Sequence, residues 1–471
     1  MKWLSKAIFL AVLICAETVI GADEQTLQFG PFGKVFLYRQ SPLPSHVVLF
    51  VSGDGGWNLG VIDMAKTLSH LDALVVGIDI THYLRELSRS NEPCSYPAGD
   101  FEILSKFIQR SLEFPNYVTP ILAGYSSGAT LVYATLAQAP ANTFRGAIGL
   151  GFCPDLALSK PLCHGYGLEW KSGEKGKGYI FLSAKTLQAP WVALQGTIDQ
   201  VCSPETTEDF VKQVKGGKLV LLPKVGHGFA VQRNWMPQFK EAFLDLGTRR
   251  LETELEEPGG LKDLPILEIR ARNPRPEAFA VILSGDGGWA GIDRDLGHSF
   301  AANDISVVGL NSLKYFWKRR SPEEAGKDLG IILSHYLSLW HQKEAILIGY
   351  SLGADVLPFM MNRVAPELRD RVPLVALLGP SEKVSFEFHV SDWLGGSSRA
   401  DALPVLPELE KLRDKKILCF CGEKEADSLC HKLGPDVAET FVLPGAHHFG
   451  GKYGFIAEAI IKETLRLSKP Q

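Results

Sequence analysis

Two stretches, ILAGYSSG at Ile121–Gly128 and ILIGYSLG at Ile346–Gly353, are the most informative about the fold. In each stretch an apolar run leads into Gly-x-Ser-x-Gly, the pattern of a nucleophile elbow, where a tight strand-to-helix turn exposes a serine. Glycine is required two residues either side of that serine, because it tolerates the tight turn. Two copies, each following an apolar run and opening a helical segment, predict elbows at Ser126 and Ser351.

The elbows belong to a longer repeat that covers both halves of the chain. The matching pairs, in chain order, are SGDGGW at Ser52–Trp57 and Ser284–Trp289, VVGID at Val75–Asp79 with VVGLN at Val307–Asn311, the two elbows, and His227-Gly-Phe with His447-His-Phe. Motifs in one order with slowly changing spacing indicate a duplicated domain. A charged segment containing Pro258-Gly-Gly separates the copies, which predicts an N-terminal domain over 23–257 and a C-terminal domain over 258–471.

Each half alternates short apolar strands with helix-length segments. Such strands are buried on both faces, which favours a parallel sheet covered by helices. The predicted strands are Val47–Val51, Leu74–Ile80, Pro120–Ala123, Arg145–Leu150 and Trp191–Gln195, then Val281–Leu283, Ile305–Leu310, Ala345–Ile348, Leu374–Leu378 and Lys416–Phe420. The sequence therefore predicts an α/β fold, a tandem duplication of an α/β-hydrolase-like three-layer domain with a mainly parallel sheet.

Composition excludes some classes of protein without choosing a reaction. The 471 residues are 45% hydrophobic and 22% charged, which is unlike a disordered chain. The formal net charge of −4 gives no broad basic field, so we expect no direct nucleic-acid partner.

The first 22 residues have the three parts of a secretory signal peptide. Lys2 and Lys6 precede an apolar run from Ala7 to Ala16, and Ala22 offers a small residue for cleavage. The run is too short for a membrane-spanning helix. We therefore expect export, and a mature protein in the periplasm.

An odd number of cysteines remains after the signal peptide, because Cys15 is one of the eight. In an oxidising compartment most of them pair and at least one stays free or bonds another chain. Spacing alone leaves the pairing open. Short loops would join Cys153 to Cys163, and Cys430 to Cys419 or Cys421, while no cysteine group has convincing zinc spacing.

A serine hydroxyl needs a histidine to take its proton and a carboxylate to orient that histidine. In an α/β hydrolase these residues follow in the chain order serine, acid, histidine. The first half offers Ser126, Asp199 and His227 in that order.

The second half offers Ser351, then either Asp427 or Glu425, then His447. Asp427 is preferred because Asp427-x-x-Cys matches Asp199-x-x-Cys in the first half. Glu425 is the alternative acid, since it lies closer to the end of the predicted strand.

A tetrahedral intermediate also needs N–H donors for its oxyanion. They should come from the residue after the nucleophile and from the loop after an early strand. The candidates are Leu352 with Asp286 or Gly287 in the second half, and Ser127 with Asp54 or Gly55 in the first. A nucleotide cradle is disfavoured because no Gly-Lys-Ser/Thr follows these glycines. This chemistry needs no metal and no cofactor.

The segment Lys314–Arg320 mixes aromatic and basic residues. It could lie against an anionic headgroup or a membrane surface. The alternative is a solvated charged loop with buried aromatic side chains.

The doubled SGDGGW and GYS-x-G motifs, the acid-x-x-Cys segment, His-x-Phe and LLGPS at Leu377–Ser381 resemble the AcvB/VirJ family of bacterial virulence proteins. The resemblance covers nearly the whole mature chain. It implies a periplasmic serine hydrolase that removes lysine from lysyl-phosphatidylglycerol and is associated with T-DNA transfer. It also implies that Ser351, His447 and Asp427 or Glu425 carry the activity.

A second class of function stays open, because a fold does not determine an activity. The chain could be a non-catalytic periplasmic binding protein, or an accessory protein of type IV secretion that contacts secretion-system proteins. The order serine, acid, histidine in both halves favours the enzyme. In that case the partner is an aminoacylated phospholipid, with peripheral contact to the membrane surface.

Overall fold

The computed structural model describes residues 25–173, 178–251, 261, 264–388 and 402–468. The predicted signal peptide at 1–22 and the predicted boundary near Pro258 lie outside these residues. Within the described ranges no helix is both long and apolar enough to cross a membrane.

The first domain is built on an eight-stranded sheet with the order β1-β2-β4-β3-β5-β6-β10-β11. Strands β1 and β2 pair antiparallel, as do β2 and β4, and the other pairs are parallel. The strands are β1 (Gln25–Phe29), β2 (Gly33–Tyr38), β3 (His46–Val51), β4 (Ala73–Ile78), β5 (Ile121–Tyr125), β6 (Gly146–Leu150), β7 (Asp155–Leu156), β8 (Trp170–Ser172), β9 (Tyr179–Phe181), β10 (Thr186–Gly196) and β11 (Lys215–Leu222). Strands β7 to β9 form a small separate sheet.

The second domain has a seven-stranded sheet with the order β12-β14-β13-β15-β16-β19-β20. This order is the first domain's order from β2 onward, which confirms the tandem duplication. Only β12 runs antiparallel to its neighbour. The strands are β12 (Ile266–Ile269), β13 (Ala278–Leu283), β14 (Val307–Leu310), β15 (Glu344–Tyr350), β16 (Leu374–Leu378), β17 (Lys383–Val384), β18 (Leu403–Pro404), β19 (Lys416–Gly422) and β20 (Glu439–Leu443). Strands β17 and β18 pair apart from this sheet.

Helices cover both faces of each sheet. In the first domain they are α1 (Leu59–Ser69), α2 (Ile80–Arg89), α3 (Pro97–Ser111), α4 (Ser127–Gln138), α5 (Pro204–Lys212) and α6 (Met236–Thr248). In the second they are α7 (Ile292–Ala302), α8 (Ser312–Tyr315), α9 (Pro322–Leu339), α10 (Leu352–Met361), α11 (Pro366–Arg369), α12 (Leu406–Glu410) and α13 (Tyr453–Leu467).

Alternation along the strands builds two apolar layers, because successive side chains point to opposite faces of a sheet. In β3, Leu49 packs with α3 and α4, while Phe50 packs with α1 and α6. In β13, Val281 and Ile282 divide in the same way between the two faces. All ten predicted strands coincide with parallel strands of the two sheets, so the three-layer α/β prediction is confirmed.

Three disulfides join described cysteines: Cys94–Cys163, Cys153–Cys202 and Cys419–Cys430. The short-loop expectation is correct for Cys419–Cys430 and wrong for Cys153 with Cys163. Cys153 and Cys202 follow β6 and β10, which are parallel neighbours, so the sheet brings the two ends together. Cys421 is buried and unpaired.

The segment 314–320 has buried aromatic residues, while Lys318 and Arg319 are exposed. Tyr315 and Phe316 belong to the core of the second domain, whereas Trp317 is 1% exposed in a cluster with Tyr117, Leu313 and Phe388. The Trp317 indole donates to the Phe114 carbonyl of the first domain at 2.7 Å. The structure therefore agrees with the alternative, a solvated charged loop with buried aromatic side chains, and not with aromatic residues that lie against a membrane surface.

Candidate active sites

Both predicted elbows have the backbone of a nucleophile turn. Ser126 has φ 56° and ψ −123°, and Ser351 has φ 52° and ψ −120°. A positive φ is uncommon for serine and costs free energy, which is typical of functional sites. Each serine follows the central parallel strand of its sheet and precedes a helix, at the carboxyl edge where α/β proteins place ligands.

The glycines of the elbows are required by close backbone approach. A Cβ on Gly124 would collide with the carbonyl of Gly128, and a Cβ on Gly349 would collide with that of Gly353. The helix after each elbow therefore packs directly on the strand before it. This packing explains why both copies keep glycine on either side of the serine.

The first domain closes a complete hydrogen-bonded relay. Ser126 Oγ and His227 Nε2 are 2.9 Å apart, and His227 Nδ1 lies 2.9 Å from Asp199 Oδ2. Asp199 Oδ1 accepts from the backbone N–H of Val201 and of Cys202, each at 2.9 Å. The structure thus brings together the three residues that the chain order predicts for this half.

The second domain pairs its histidine with the alternative acid. His447 Nδ1 contacts Glu425 Oε1 directly, and Glu425 Oε2 accepts from the N–H of Gly422 at 3.1 Å. Asp427 lines a groove of about 340 Å³ together with Glu425 and His447, but within the described ranges no hydrogen bond joins it to His447. The preference for Asp427 as the partner of His447 is therefore wrong.

The turn at the end of β19 explains why Glu425, and not Asp427, reaches His447. Glu425 closes a turn on Gly422 through its N–H at 3.0 Å, and Asp199 closes the equivalent turn on Gly196 at 3.3 Å. Each acid lies three residues after the glycine that ends its strand. The spacing from that glycine identifies the acid, whereas the spacing to the next cysteine does not.

The nucleophile of the second domain is close to its base but not bonded to it. Within the described part of the chain, no hydrogen bond joins Ser351 to His447, although both line one cavity. Catalytic hydrogen bonds are often long in unliganded enzymes and shorten in the substrate complex. The Tyr350 ring stacks on the His447 imidazole at 5.2 Å between centroids, which holds the plane of the base.

Charges around His447 favour its protonated form. Burial lowers the pKa of His447, but the hydrogen bond and charge of Glu425, with the charges of Asp286 and Asp355, raise it above its usual value. Burial raises the pKa of Glu425, yet its bonds to His447 and Gly422 bring that pKa below the ordinary value. Glu425 therefore stabilises the imidazolium that forms when the base takes a proton.

The predicted oxyanion donors lie beside both nucleophiles. Ser127 and Leu352 are the first residues of α4 and α10, where the N–H has no partner within the helix. A Cβ on Gly53 would lie 3.2 Å from that of Ser126, and one on Gly285 would lie 3.4 Å from that of Ser351. Each SGDGGW turn therefore begins against its nucleophile, and the remaining candidate donors follow directly in the turn, at Asp54, Gly55, Asp286 and Gly287.

The same two contacts hold both SGDGGW turns. The Ser52 hydroxyl accepts from the N–H of Ile80 at 3.1 Å, and Ser284 accepts from that of Ser312 at 2.9 Å. The tryptophan of each turn packs on the glycine of VVGID or VVGLN, where a Cβ would overlap the indole. Each tryptophan therefore packs its turn against the neighbouring strand.

Asp355 is a residue of the second site that the sequence reasoning missed. It lies one helical turn after Ser351, is 6% exposed, and accepts from the N–H of Ser381 at 2.6 Å. Burial raises its pKa to about 7, partly offset by that hydrogen bond. The contact joins the LLGPS segment to the helix that follows the elbow. The LLGPS motif was therefore the sequence signal that could have pointed to Asp355.

One group of residues has the spacing of a metal site. The ligand atoms of Asp199, Cys202 and His227 lie within 4.8 Å of one another. Cys202 is bonded to Cys153, and His227 Nδ1 is bonded to Asp199. These donors are already engaged, so the group does not fit a metal ion.

A family model described as VirJ, bacterial virulence protein, matches residues 45–149 and 277–467, more than half of the chain. The first matched range contains Ser126 but ends before Asp199 and His227. The second contains Ser351, Glu425 and His447. No curated protein matches the chain.

Solved structures resemble about half of the chain. The esterase domain of a Rhodothermus marinus protein is 14% identical, with a TM-score of 0.34 over 48% of this chain and 98% of its own. Est1E from Butyrivibrio proteoclasticus is 14% identical, with a TM-score of 0.33 over 48% and 99%. An alpha-beta serine hydrolase homologue from Coxiella burnetii is 19% identical, with a TM-score of 0.31 over 49% and 97%.

Proposed function

The chain belongs to the VirJ family of bacterial virulence proteins, and we propose that it is a serine hydrolase acting on ester bonds. The observation that carries the proposal is the pairing of His447 with Glu425 beside Ser351, in front of a cavity of about 670 Å³. The strained backbone of Ser351 and the adjoining SGDGGW turn support it. A binding scaffold has no need for this combination.

The proposed substrate is lysyl-phosphatidylglycerol, and the scissile bond is the ester between lysine and a glycerol hydroxyl. Ser351 Oγ attacks the ester carbonyl carbon while His447 Nε2 takes the hydroxyl proton. The N–H of Leu352 and those of the Asp286–Gly287 turn stabilise the oxyanion. The tetrahedral intermediate collapses, and the glycerol oxygen leaves with the proton from His447.

A lysyl ester of Ser351 remains after the first step. His447 then takes a proton from water, and the resulting hydroxide attacks the same carbonyl carbon. Collapse of the second tetrahedral intermediate returns the proton to Ser351 and releases lysine. The chain's own residues supply each proton transfer in this sequence.

We assign the main activity to Ser351 because the second matched range of the family contains its whole relay. The first site remains a second candidate, since Ser126, His227 and Asp199 are already hydrogen-bonded.

The proposed location is the periplasm. Three disulfides in the described residues favour an oxidising compartment. This location would place the enzyme at the membrane that holds its lipid substrate. Association with T-DNA transfer and with type IV secretion proteins is part of the same proposal, through the family.

The purified protein should be incubated with vesicles containing lysyl-phosphatidylglycerol while released lysine is measured. We expect Ser351→Ala to lower kcat/KM at least ~10³-fold, and Ser126→Ala to lower it less than ~3-fold. Full activity in Ser351→Ala would contradict the assignment to the second domain. No turnover by the wild type, together with no labelling of either serine by a fluorophosphonate, would favour the non-catalytic accessory protein.

A further inference from the structure

The cavity in front of Ser351 lies between the two domains. The second domain supplies the nucleophile, the base and the oxyanion turn. The first domain supplies part of the wall, including Tyr96 just before α3, Glu102 of α3, and Tyr166. The active site of one domain is therefore completed by the other.

Helix α3 holds this wall in place. Lys106 is fully buried, pairs with Glu102 at 2.7 Å, and donates to the carbonyl of Asp286 in the oxyanion turn at 3.2 Å. One helical turn further, Arg110 pairs with Glu387 at 2.5 Å. These residues recur at every fourth position, so one face of α3 docks on the second domain.

Asp293 is the feature of the cavity that the catalytic relay does not use. It lies in the first turn of α7, lines the cavity, and is 2% exposed. Its Oδ1 has no hydrogen-bond partner among the described residues. A buried carboxyl oxygen without a partner costs free energy, which a bound donor would recover.

The first domain has no such group at the same place in the repeat. Four residues after the tryptophan of SGDGGW, the second domain has Asp293 and the first has Val61. Val61 is 3% exposed and packs in an apolar cluster. Burial of a carboxylate costs free energy. The fold does not require an aspartate at this position, because the first domain has valine there. The aspartate is therefore better explained by binding than by folding.

The surroundings of Asp293 suit a cation. Burial raises the pKa of its carboxyl group, as does the charge of Asp286, while the N–H of Gly285 lowers it. Without a ligand, this environment favours the neutral acid. An incoming ammonium group would supply both the missing hydrogen-bond donor and the opposite charge that favours ionisation.

We propose that the cavity between the domains is the substrate pocket of the Ser351 site, and that Asp293 selects a substrate carrying an ammonium group. The inference rests on the proposed function, because the lysyl ester carries two such groups. Asp293 is a specificity-determining residue, and the wall from the first domain closes the pocket around the aminoacyl part. The neutral esters that serine hydrolases accept would not use Asp293.

Measuring ester binding in a variant without the nucleophile tests the role of Asp293 independently of catalysis. In Ser351→Ala protein, calorimetry should measure lysine methyl ester and methyl hexanoate, which lacks both ammonium groups. We expect Asp293→Asn to weaken lysine methyl ester binding at least ~10-fold, the loss expected for a hydrogen bond to a charged group, and to leave methyl hexanoate within ~3-fold. The isosteric change keeps an acceptor for the N–H of Gly285.

Asp295→Asn is the matched control, because it makes the same substitution on the same helix outside the lining of the cavity. It should leave the binding of both esters unchanged, and equal melting temperatures for the two variants would show that folding is intact. Unchanged binding of lysine methyl ester in Asp293→Asn, or an equal loss in Asp295→Asn, would overturn the inference. If the wild type hydrolyses no ester but this binding difference is found, the proposed function fails while the ammonium site stands.

Discussion

The two domains share one elbow on one sheet order, but they complete the site in different ways. In the first, the His227 and Asp199 side chains are 17% and 0% exposed, and the serine is already bonded to its base. In the second, the His447 and Glu425 side chains are 38% and 10% exposed. In the described ranges, Ser351 lines the same cavity as His447 but is not hydrogen-bonded to it. Duplication has kept the strands and the elbow, while the acids, which lie on loops, and the residues that line the pocket have diverged.

The comparison shows how one domain can serve the other. The cavity at Ser351 uses wall residues from the first domain, and Lys106 reaches into the oxyanion turn of the second. The first domain can therefore affect the second site whether or not Ser126 itself is active. This dependence is a physical reason for keeping both copies in one chain.

After the nucleophile itself, the acid of the second site should matter most. Glu425→Gln should lower kcat/KM for lysyl-phosphatidylglycerol by about 10²–10⁴-fold, because His447 loses the carboxylate that orients it and stabilises its cation. Asp427→Asn is the control and should change the rate less than ~3-fold. A larger loss in Asp427→Asn than in Glu425→Gln would restore Asp427 as the acid.

The next effect concerns the docking of the domains. Trp317→Ala should lower the free energy of unfolding by about 3–5 kcal/mol, because it removes a fully buried indole and its hydrogen bond to Phe114. Trp317→Phe keeps most of the apolar volume and should cost about 1 kcal/mol. Urea unfolding of the full chain measures both changes.

The same variant tests whether the shared wall matters for the substrate. Hydrolysis of lysyl-phosphatidylglycerol by Trp317→Ala should fall more than hydrolysis of a small p-nitrophenyl ester. Equal losses on both substrates would show that the wall does not contribute to recognition.

Removing one disulfide from each domain tests whether the Cys153–Cys202 bond supports the first site. Replacing Cys153 and Cys202 by serine should cost roughly 4 kcal/mol, and replacing Cys419 and Cys430 roughly 3 kcal/mol, because the first bond closes the longer loop. Only the first change should also slow fluorophosphonate labelling of Ser126, since the N–H of Cys202 holds Asp199. Slower labelling of Ser126 in both variants would point to a general loss of structure.

The smallest effect is a shift of pH dependence. The pKa of His447 is raised above its usual value of 6.5, and a base must be neutral to act. Labelling of Ser351 should therefore rise with pH through a midpoint above 6.5 and be lost as pH falls below it. Glu425→Gln should move that midpoint to lower pH, because the largest remaining influence, burial, disfavours the imidazolium. A midpoint that stays in place would contradict the role of Glu425.

Local sequence patterns were sufficient to predict the α/β architecture. Apolar strands buried on both faces and the glycines of the elbows are short-range requirements, so the central parallel strands and both serines could be located from the residues alone. The strands β1, β2, β11, β12 and β20 of the two main sheets were missed because they are only partly buried, and a mixed pattern is a weak signal.

The acid of the second site needed the tertiary structure because two carboxylates lie two residues apart on one loop. Asp427 and Glu425 have similar chemistry, and only the turn on Gly422 decides which one reaches His447. The pairing of Cys153 with Cys202 was hidden for a related reason, since sheet neighbours are not sequence neighbours.

A duplicated α/β fold, two nucleophile elbows, their histidines and the order of each relay can be read from the amino-acid sequence, because these depend on spacing along one chain segment at a time. Three features could be seen only in the folded chain: Glu425 orients His447, Trp317 is buried between the domains, and Asp293 lies in a cavity lined by both. Those features depend on distances between residues far apart in the chain. They arise when the two domains pack against one another.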